Sequence, residues 1–217
     1  ASGQGSRKSL PVMVMFLSAW ILAGCASVPE RMTQAALTGD TAALDGLLKP
    51  GTTEVNVPAS LSVALPTCPG QKILTPLQAA ACAGQVPAIR KLLDGKAQIN
   101  LATASGLTPL MLAIIHGRDN AARLLVEAGA GLELTDAAGN TALLLALARG
   151  NKPLAEFMLK HGASSKARNR VGDTAVLLAN DAGLARMLVA LGADPLAINA
   201  DGQSGLHLAA KNGNAPA

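Results

Sequence analysis

The sequence predicts an all-α fold: a solenoid of about five to six helix–turn–helix repeats, interrupted once by an irregular insertion. The first observation behind this is a period. Thr75, Thr108, Thr141 and Thr174 follow one another at 33-residue steps, and a fixed repeat of about 20–50 residues marks a stacked architecture. The second is what fills the period. In the stretch from Gly106 to Ala138 a turn at Ser105-Gly106-Leu107 opens onto Thr108-Pro109 and a short apolar helix, Leu110 to Ile115, ending at His116-Gly117. A second helix, Asn120 to Ala128, stops at Gly129, where glycine accepts a positive φ after the last helical turn. The third is composition. Half of the 217 residues are hydrophobic but only 1% are aromatic, as expected of Ala/Leu-rich helices that pack through small side chains.

These residues carry a family resemblance. Thr75-Pro76-Leu77-Gln78-Ala79-Ala80-Ala81 and Thr108-Pro109-Leu110-Met111-Leu112-Ala113-Ile114 resemble the T-P-L-H-x-A-A signature of ankyrin repeats. Leu92-Leu93, Leu124-Leu125, Met158-Leu159 and Leu188-Val189 fill the second-helix slot. Gly129-Ala130, Gly162-Ala163 and Gly192-Ala193-Asp194 match the helix-end G-A-D. The resemblance covers about residues 30–213 and implies an ankyrin-repeat solenoid.

Residues 1–25 read as a secretory signal. Arg7-Lys8 is a basic start and Leu10 to Ile21 an apolar segment, short of the about 20 residues that span a bilayer. Leu22-Ala23-Gly24-Cys25 resembles a bacterial lipobox. That resemblance implies cleavage before Cys25, acylation of its side chain and a membrane-anchored lipoprotein. An uncleaved anchor or an ordinary signal peptide is the other reading. In that family Asp after the cysteine retains a protein at the inner membrane. Ala26 stands there instead, which implies attachment to the outer membrane, facing the periplasm.

The remaining chain, 26–217, is expected to be one ankyrin-repeat domain. Glu30 to Gly51 reads as a degenerate first repeat that lacks Thr-Pro, as a capping repeat can. Residues 52–73 break the phase and contain Pro58, Pro66, Pro69 and Gly70, which favour an irregular loop. Residues 74–171 are three regular repeats, although Lys96 takes a helix-ending glycine's slot. A fifth repeat, near Gly183, is three residues short, which predicts a tight turn between its helices. Ser204-Gly205-Leu206-His207 starts a sixth, either as a cap or as a repeat cut short.

With Cys25 assigned to lipid, Cys68 and Cys82 remain. The oxidising compartment and the even count favour a disulfide between them, closing a loop that contributes about 3 kcal/mol in the chain-entropy account. Two unrelated thiols are the alternative.

No catalytic, cofactor or metal-ligating constellation stands out. His116, His161 and His207 fall in separate repeats, and there is neither Cys-x-x-Cys nor a glycine-rich phosphate loop. His161 precedes a helix-ending glycine, where a donor suits free carbonyls. The formal charge is +4; without Arg7 and Lys8 the chain has 16 basic and 14 acidic residues, too even a balance to point to nucleic acid. No small-molecule substrate is expected.

The family resemblance implies that turns and first helices line a concave protein-binding face. Its variable slots carried over here include Leu107, Ile115, His116, Asn140, Arg149, Arg170, Val171, Asp173, Asp181 and Gln203. Leu107, Ile115 and Val171 are apolar where solvent is expected. They are either an apolar centre rimmed by His116, Arg149 and Arg170, or scattered surface hydrophobes, which are common. After the signal the chain has no Trp or Tyr and one Phe, Phe157, so aromatic hot spots are not available on this side; either the partner supplies them, or the insertion loop docks, or the affinity is modest. The expected function is a monomeric, lipid-anchored periplasmic module that binds another envelope protein, as an inhibitor or immunity protein for an envelope-acting enzyme. A scaffold or helper of an envelope complex is the alternative. An enzyme built on 52–73 and a plain spacer are further readings.

Overall fold

Thr75 and Thr108 begin helices because their side chains and the following prolines both favour a helix start. Each Thr Oγ1 accepts from the backbone N–H three residues on, at 3.3 Å in both cases, and the proline occupies a first-turn position where no N–H is needed. At Thr75 the bond is reciprocated, since its backbone N–H donates to Gln78 Oε1 at 2.9 Å. Thr141 caps its helix in the same way without a proline. The computed structural model describes residues 26–49, 51–60, 73–179 and 181–205.

Ten α-helices occur among these residues, in pairs. The pairs are α1 (Val28–Thr38) with α2 (Thr41–Leu47), α3 (Pro76–Ala83) with α4 (Val86–Asp94), and α5 (Pro109–Ile115) with α6 (Asp119–Glu127). Then come α7 (Ala142–Ala148) with α8 (Lys152–Lys160), and α9 (Ala175–Leu178) with α10 (Ala182–Ala190). First helices stack in the order α1, α3, α5, α7, α9, and second helices stack beside them. One continuous core runs through the row, from Met32 and Leu44 through Leu77, Leu110, Leu125, Leu143 and Met158 to Leu188. The expected all-α solenoid of repeats is therefore what these residues form.

Two local expectations are corrected, and one gains a detail. The first repeat lacks Thr-Pro as read, but it has a start signal of another kind. Ser27 caps α1, with Glu30 returning the bond at 2.8 Å and Pro29 in the first turn; α1 extends one turn further back than the 33-residue phase implies. The insertion is not irregular throughout. Glu54–Asn56 is one turn of 3-10 helix, and β1 (Ala59–Ser60) pairs antiparallel with β2 (Ile73–Leu74). Lastly, the three missing residues of the fifth repeat shorten its first helix rather than tighten the turn. The α9 helix has only four residues, and its C-cap Ala179 is extended. Thr174 at its start makes no side-chain cap, and its Oγ1 is buried without a hydrogen-bond partner.

Lys96 adopts φ +67°, the only positive φ of a non-glycine residue among those described. A left-handed L-residue costs roughly 1–2 kcal/mol. Lys96→Gly is accordingly expected to raise stability by about 0.5–1 kcal/mol, the difference being taken up by the freer unfolded chain. Urea unfolding of the two proteins checks this; an unchanged or lower midpoint contradicts it.

Candidate protein-binding surface

From α4 onward, the chain makes a turn between each second helix and the next first helix. The turns share one design. Asp136, Asn169 and Asn199 each accept through Oδ1 from two backbone N–H groups, two and four residues further on, at 2.8–3.2 Å. Positive-φ glycines, Gly106, Gly139, Gly172 and Gly202, turn the tips. Neighbouring turns are joined by backbone bonds: Ala137 N to Ser105 O, Arg170 N to Ala138 O and Ala200 N to Val171 O, at 2.9–3.0 Å.

Side chains extend this ladder. Asn140 Nδ2 donates to Asp136 Oδ2 at 3.1 Å, and Asn169 Nδ2 to Asn140 Oδ1 at 2.9 Å. Asn199 Nδ2 donates to Asp173 Oδ1 and to Gln203 Oε1, both at 3.2 Å. Asn140 and Asp173, expected on the binding face as variable polar residues, thus hold one turn to the next, and Gln203, expected there too, braces its own turn through Asn199.

Asp181 is similarly engaged. It caps α10 by accepting from Leu184 N at 2.9 Å, and Lys152 Nζ of the preceding repeat lies 2.8 Å from its Oδ1. The hydrogen bond from Lys152, then that from Leu184, lowers the Asp181 pKa. Leu107 does not face solvent either. It is half-buried and packs on a small cluster of Leu37, Leu74, Ala79, Cys82 and Leu112.

The other candidates remain open. Ile115 ends α5, His116 caps its C-terminus, and both are half-buried. Arg149 caps α7, is exposed, and carries its guanidinium toward Gly117, 3.7 Å from where a Cβ there would stand. Arg170 and Val171 form an exposed turn tip. None of Arg118, Arg149 and Arg170 makes an ion pair among the described residues, where salt bridges join Lys91 to Asp45 and Lys152 to Glu156 and Asp181. Burial, then the nearby Arg118 and Arg149 charges, lower the His116 pKa below 6.5.

The sign of the linkage follows. The unfolded chain binds a proton at His116 before the folded one does, so stability rises with pH through the window just below 6.5. His116→Gln is expected to flatten that part of a stability–pH curve. An equal slope in both proteins contradicts the assignment.

Sequence reading missed a second set of contacts. Gln85 and Arg118 follow helix-ending glycines and reach back over the previous repeat. Gln85 Nε2 donates to Leu37 O at 3.2 Å, and Arg118 Nε to Cys82 O at 3.2 Å. Each supplies a donor to a carbonyl in the last turn of a helix. Asn151 holds the same slot and donates to Asp119 Oδ1 at 2.8 Å. The signal was present, since 85, 118 and 151 repeat at the 33-residue step. His161 behaves as read: its Nδ1 lies 2.8 Å from Phe157 O. Beside it, Arg123 stacks 4.5 Å above the Phe157 ring.

Cys82 is fully buried on α3. Cys25, Cys68 and His207 lie outside the described residues. Among the described residues no group of three or more His, Cys, Asp or Glu side chains is placed to hold a metal ion.

Stacked helix pairs with projecting turns, presenting side chains on an open face, define a repeat protein of the protein–protein interaction type. Three ankyrin repeats match over residues 32–136 and a further one over 138–170, well over half of the chain together. The chain belongs to the ankyrin-repeat family, whose members are typically non-catalytic interaction modules. Comparison with curated proteins gives no match.

Proposed function

We propose that this protein is a membrane-anchored, periplasmic binding module that covers another envelope protein, acting as an inhibitor or immunity protein for an envelope enzyme. Binding takes place on the face built from turns and first helices. One observation carries this. Ile115, His116, Arg149, Arg170 and Val171 stay open on that face while their polar neighbours are consumed by the repeat stack. The surface therefore offers an apolar centre with a basic rim, without aromatic anchors of its own.

The anchor is Cys25, acylated and left as the first residue after cleavage between Gly24 and Cys25, on the basic, apolar and small-residue order of that segment. Several acyl chains make such attachment stable where one does not. The site of attachment is the outer membrane, facing the periplasm, on the residue at Ala26. Cys68 and Cys82 pair as a disulfide; Cys82 being disulfide-bonded supports this, as does the oxidising compartment. The module works as a monomer, without cofactor, metal, nucleic acid or small-molecule substrate.

A cross-linking pull-down from envelope extract tests the binding reading. The baits are the mature domain and an Ile115→Glu/Arg149→Glu double variant. The expected result is one enriched envelope enzyme, lost or reduced at least about tenfold with the variant, which corresponds to about 1.4 kcal/mol. An enzyme captured equally by both baits refutes this face as the binding site. Separately, a Cys25→Ser protein that still fractionates with membranes refutes the anchor.

A further inference from the structure

The first four first helices run into positive-φ glycines, Gly39, Gly84, Gly117 and Gly150, and the residues flanking them form a strip across the repeats. Thr38, Ala83, His116 and Arg149 precede these glycines; Asp40, Gln85, Arg118 and Asn151 follow them. Basic side chains thus enter the strip only at the third and fourth repeats. Arg118 lies back against Gly84, its Cδ 2.9 Å from where a Cβ there would stand, and Arg149 lies back toward Gly117, its Nη2 3.7 Å from the equivalent point. The two guanidiniums therefore hold corresponding places on adjacent repeats, and packed helices about 8–10 Å apart set their spacing. His116 stands beside both. Burial, then the charges of Arg118 and Arg149, lower its pKa, so both charges reach that ring.

The carboxylates of this part of the chain are engaged elsewhere. All four aspartates between positions 105 and 181 accept hydrogen bonds within the fold: Asp119 from Asn151, Asp136 from Asn140, Asp173 from Asn199, and Asp181 from Leu184 N and Lys152. Glu133 accepts from Ser164 N and Glu156 pairs with Lys152. Glu127 ends α6, at the far end of that helix from Arg118. Among the described residues no salt bridge reaches Arg118 or Arg149. Next to them, Ile115 and Leu145 are half-buried.

We propose that the partner protein presents an acidic segment to this strip, with carboxylates that pair with Arg118 and Arg149 and an apolar side chain that meets Ile115. The inference rests on the binding face proposed above and names the chemistry of its occupant. A partner that covers Ile115 also strips water from the flanking cations, and a covered cation without a counter-charge opposes binding. A carboxylate reverses that sign, and a guanidinium holds one through two parallel N–H donors. The spacing suits an extended segment, in which residues three apart stand roughly 10 Å from one another. A nucleic acid is a poorer match, because the strip has no aromatic side chain on which a base could stack.

The test is an NMR titration of the mature protein with a peptide of repeated Glu-Gly-Leu, beside one of repeated Lys-Gly-Leu. The acidic peptide is expected to shift the amides of His116, Gly117 and Gly150, and the basic one to leave them unmoved. An Arg118→Gln/Arg149→Gln variant is expected to weaken the acidic peptide at least about tenfold. Glutamine suits position 118, because Gln85 in the same slot keeps the donor to the preceding repeat, so the variant retains its fold. Equal shifts with both peptides, none with the acidic one, or undiminished binding by the variant overturns the proposal. Vesicles of phosphatidylglycerol supply the other anionic surface; if they move these amides and the acidic peptide does not, the strip meets lipid and the proposal falls. The envelope pull-down separates this inference from the reading beneath it. An enzyme lost with Ile115→Glu/Arg149→Glu but fully retained by Arg118→Gln/Arg149→Gln keeps the face and removes the acidic partner. Binding of the acidic peptide at the strip, with no envelope enzyme captured, removes the inhibitor reading and upholds the acidic partner.

Discussion

Replacing Leu125 with alanine is expected to destabilise the protein by about 2–5 kcal/mol, the usual cost of emptying a fully buried leucine site. Leu125 is wholly buried on α6, which packs against α5 in its own repeat and against α4 and α8 on either side. A cavity there removes contacts from two repeat interfaces at once. In a stacked array each repeat is stabilised mainly by its nearest neighbours, and no distant packing compensates. Thermal and urea unfolding should show a large fall in midpoint. Leu134→Ala is the control. Leu134 is 41% exposed, and such surface changes usually stay within about 0.5 kcal/mol. Equal losses in the two variants contradict the assigned core.

Gly106→Ala is the second large effect. Gly106 has φ +79°, and a Cβ there would stand 3.0 Å from Asp136 Cα and 3.1 Å from Ala137 N. Those atoms are backbone of the next turn, whose Ala137 N–H donates to Ser105 O at 3.0 Å. The methyl therefore strains its own residue and pushes neighbouring turns apart. The left-handed penalty and the overpacking together amount to about 2–4 kcal/mol. Gly129→Ala separates the two contributions. Its φ is +86°, but a Cβ there meets nothing within 4 Å, so only the conformational part, about 1–2 kcal/mol, is expected. Similar losses at both sites would show that the turns do not touch as described.

Leu107 and Ile115, both apolar and half-buried, are packed differently. Leu107 packs inward with Cys82 and Leu112, whereas Ile115 and Arg149 face outward at the third and fourth repeats. Variants at Asn140, Asp173 or Gln203 are expected to lower stability through the turn ladder, which would confuse a binding screen that scores expression alone. Ile115 and Arg149 avoid this problem because neither caps a neighbouring repeat through its side chain in the observed hydrogen bonds.

The sequence by itself determined the repeat, its phase and the helix starts and stops of the regular repeats, though not the start of α1 or the end of α9. Thr75 and Thr108 cap helices through atoms three residues away, and glycines such as Gly129 end them through their own φ. Such signals are local, so a single repeat contains them. The deletion in the fifth repeat was legible, but its consequence was not. It is the helix that is shorter, four residues in α9 against seven in α7. Only the tertiary structure decided which surface residues are free. Asn169 meets Asn140, Asn199 meets Asp173 and Lys152 meets Asp181 across 26–29 residues of chain. A polar residue at a variable slot looks alike in sequence whether it faces solvent or the next turn. Its partner is set by the stacking of repeats, which no window shorter than one period can see.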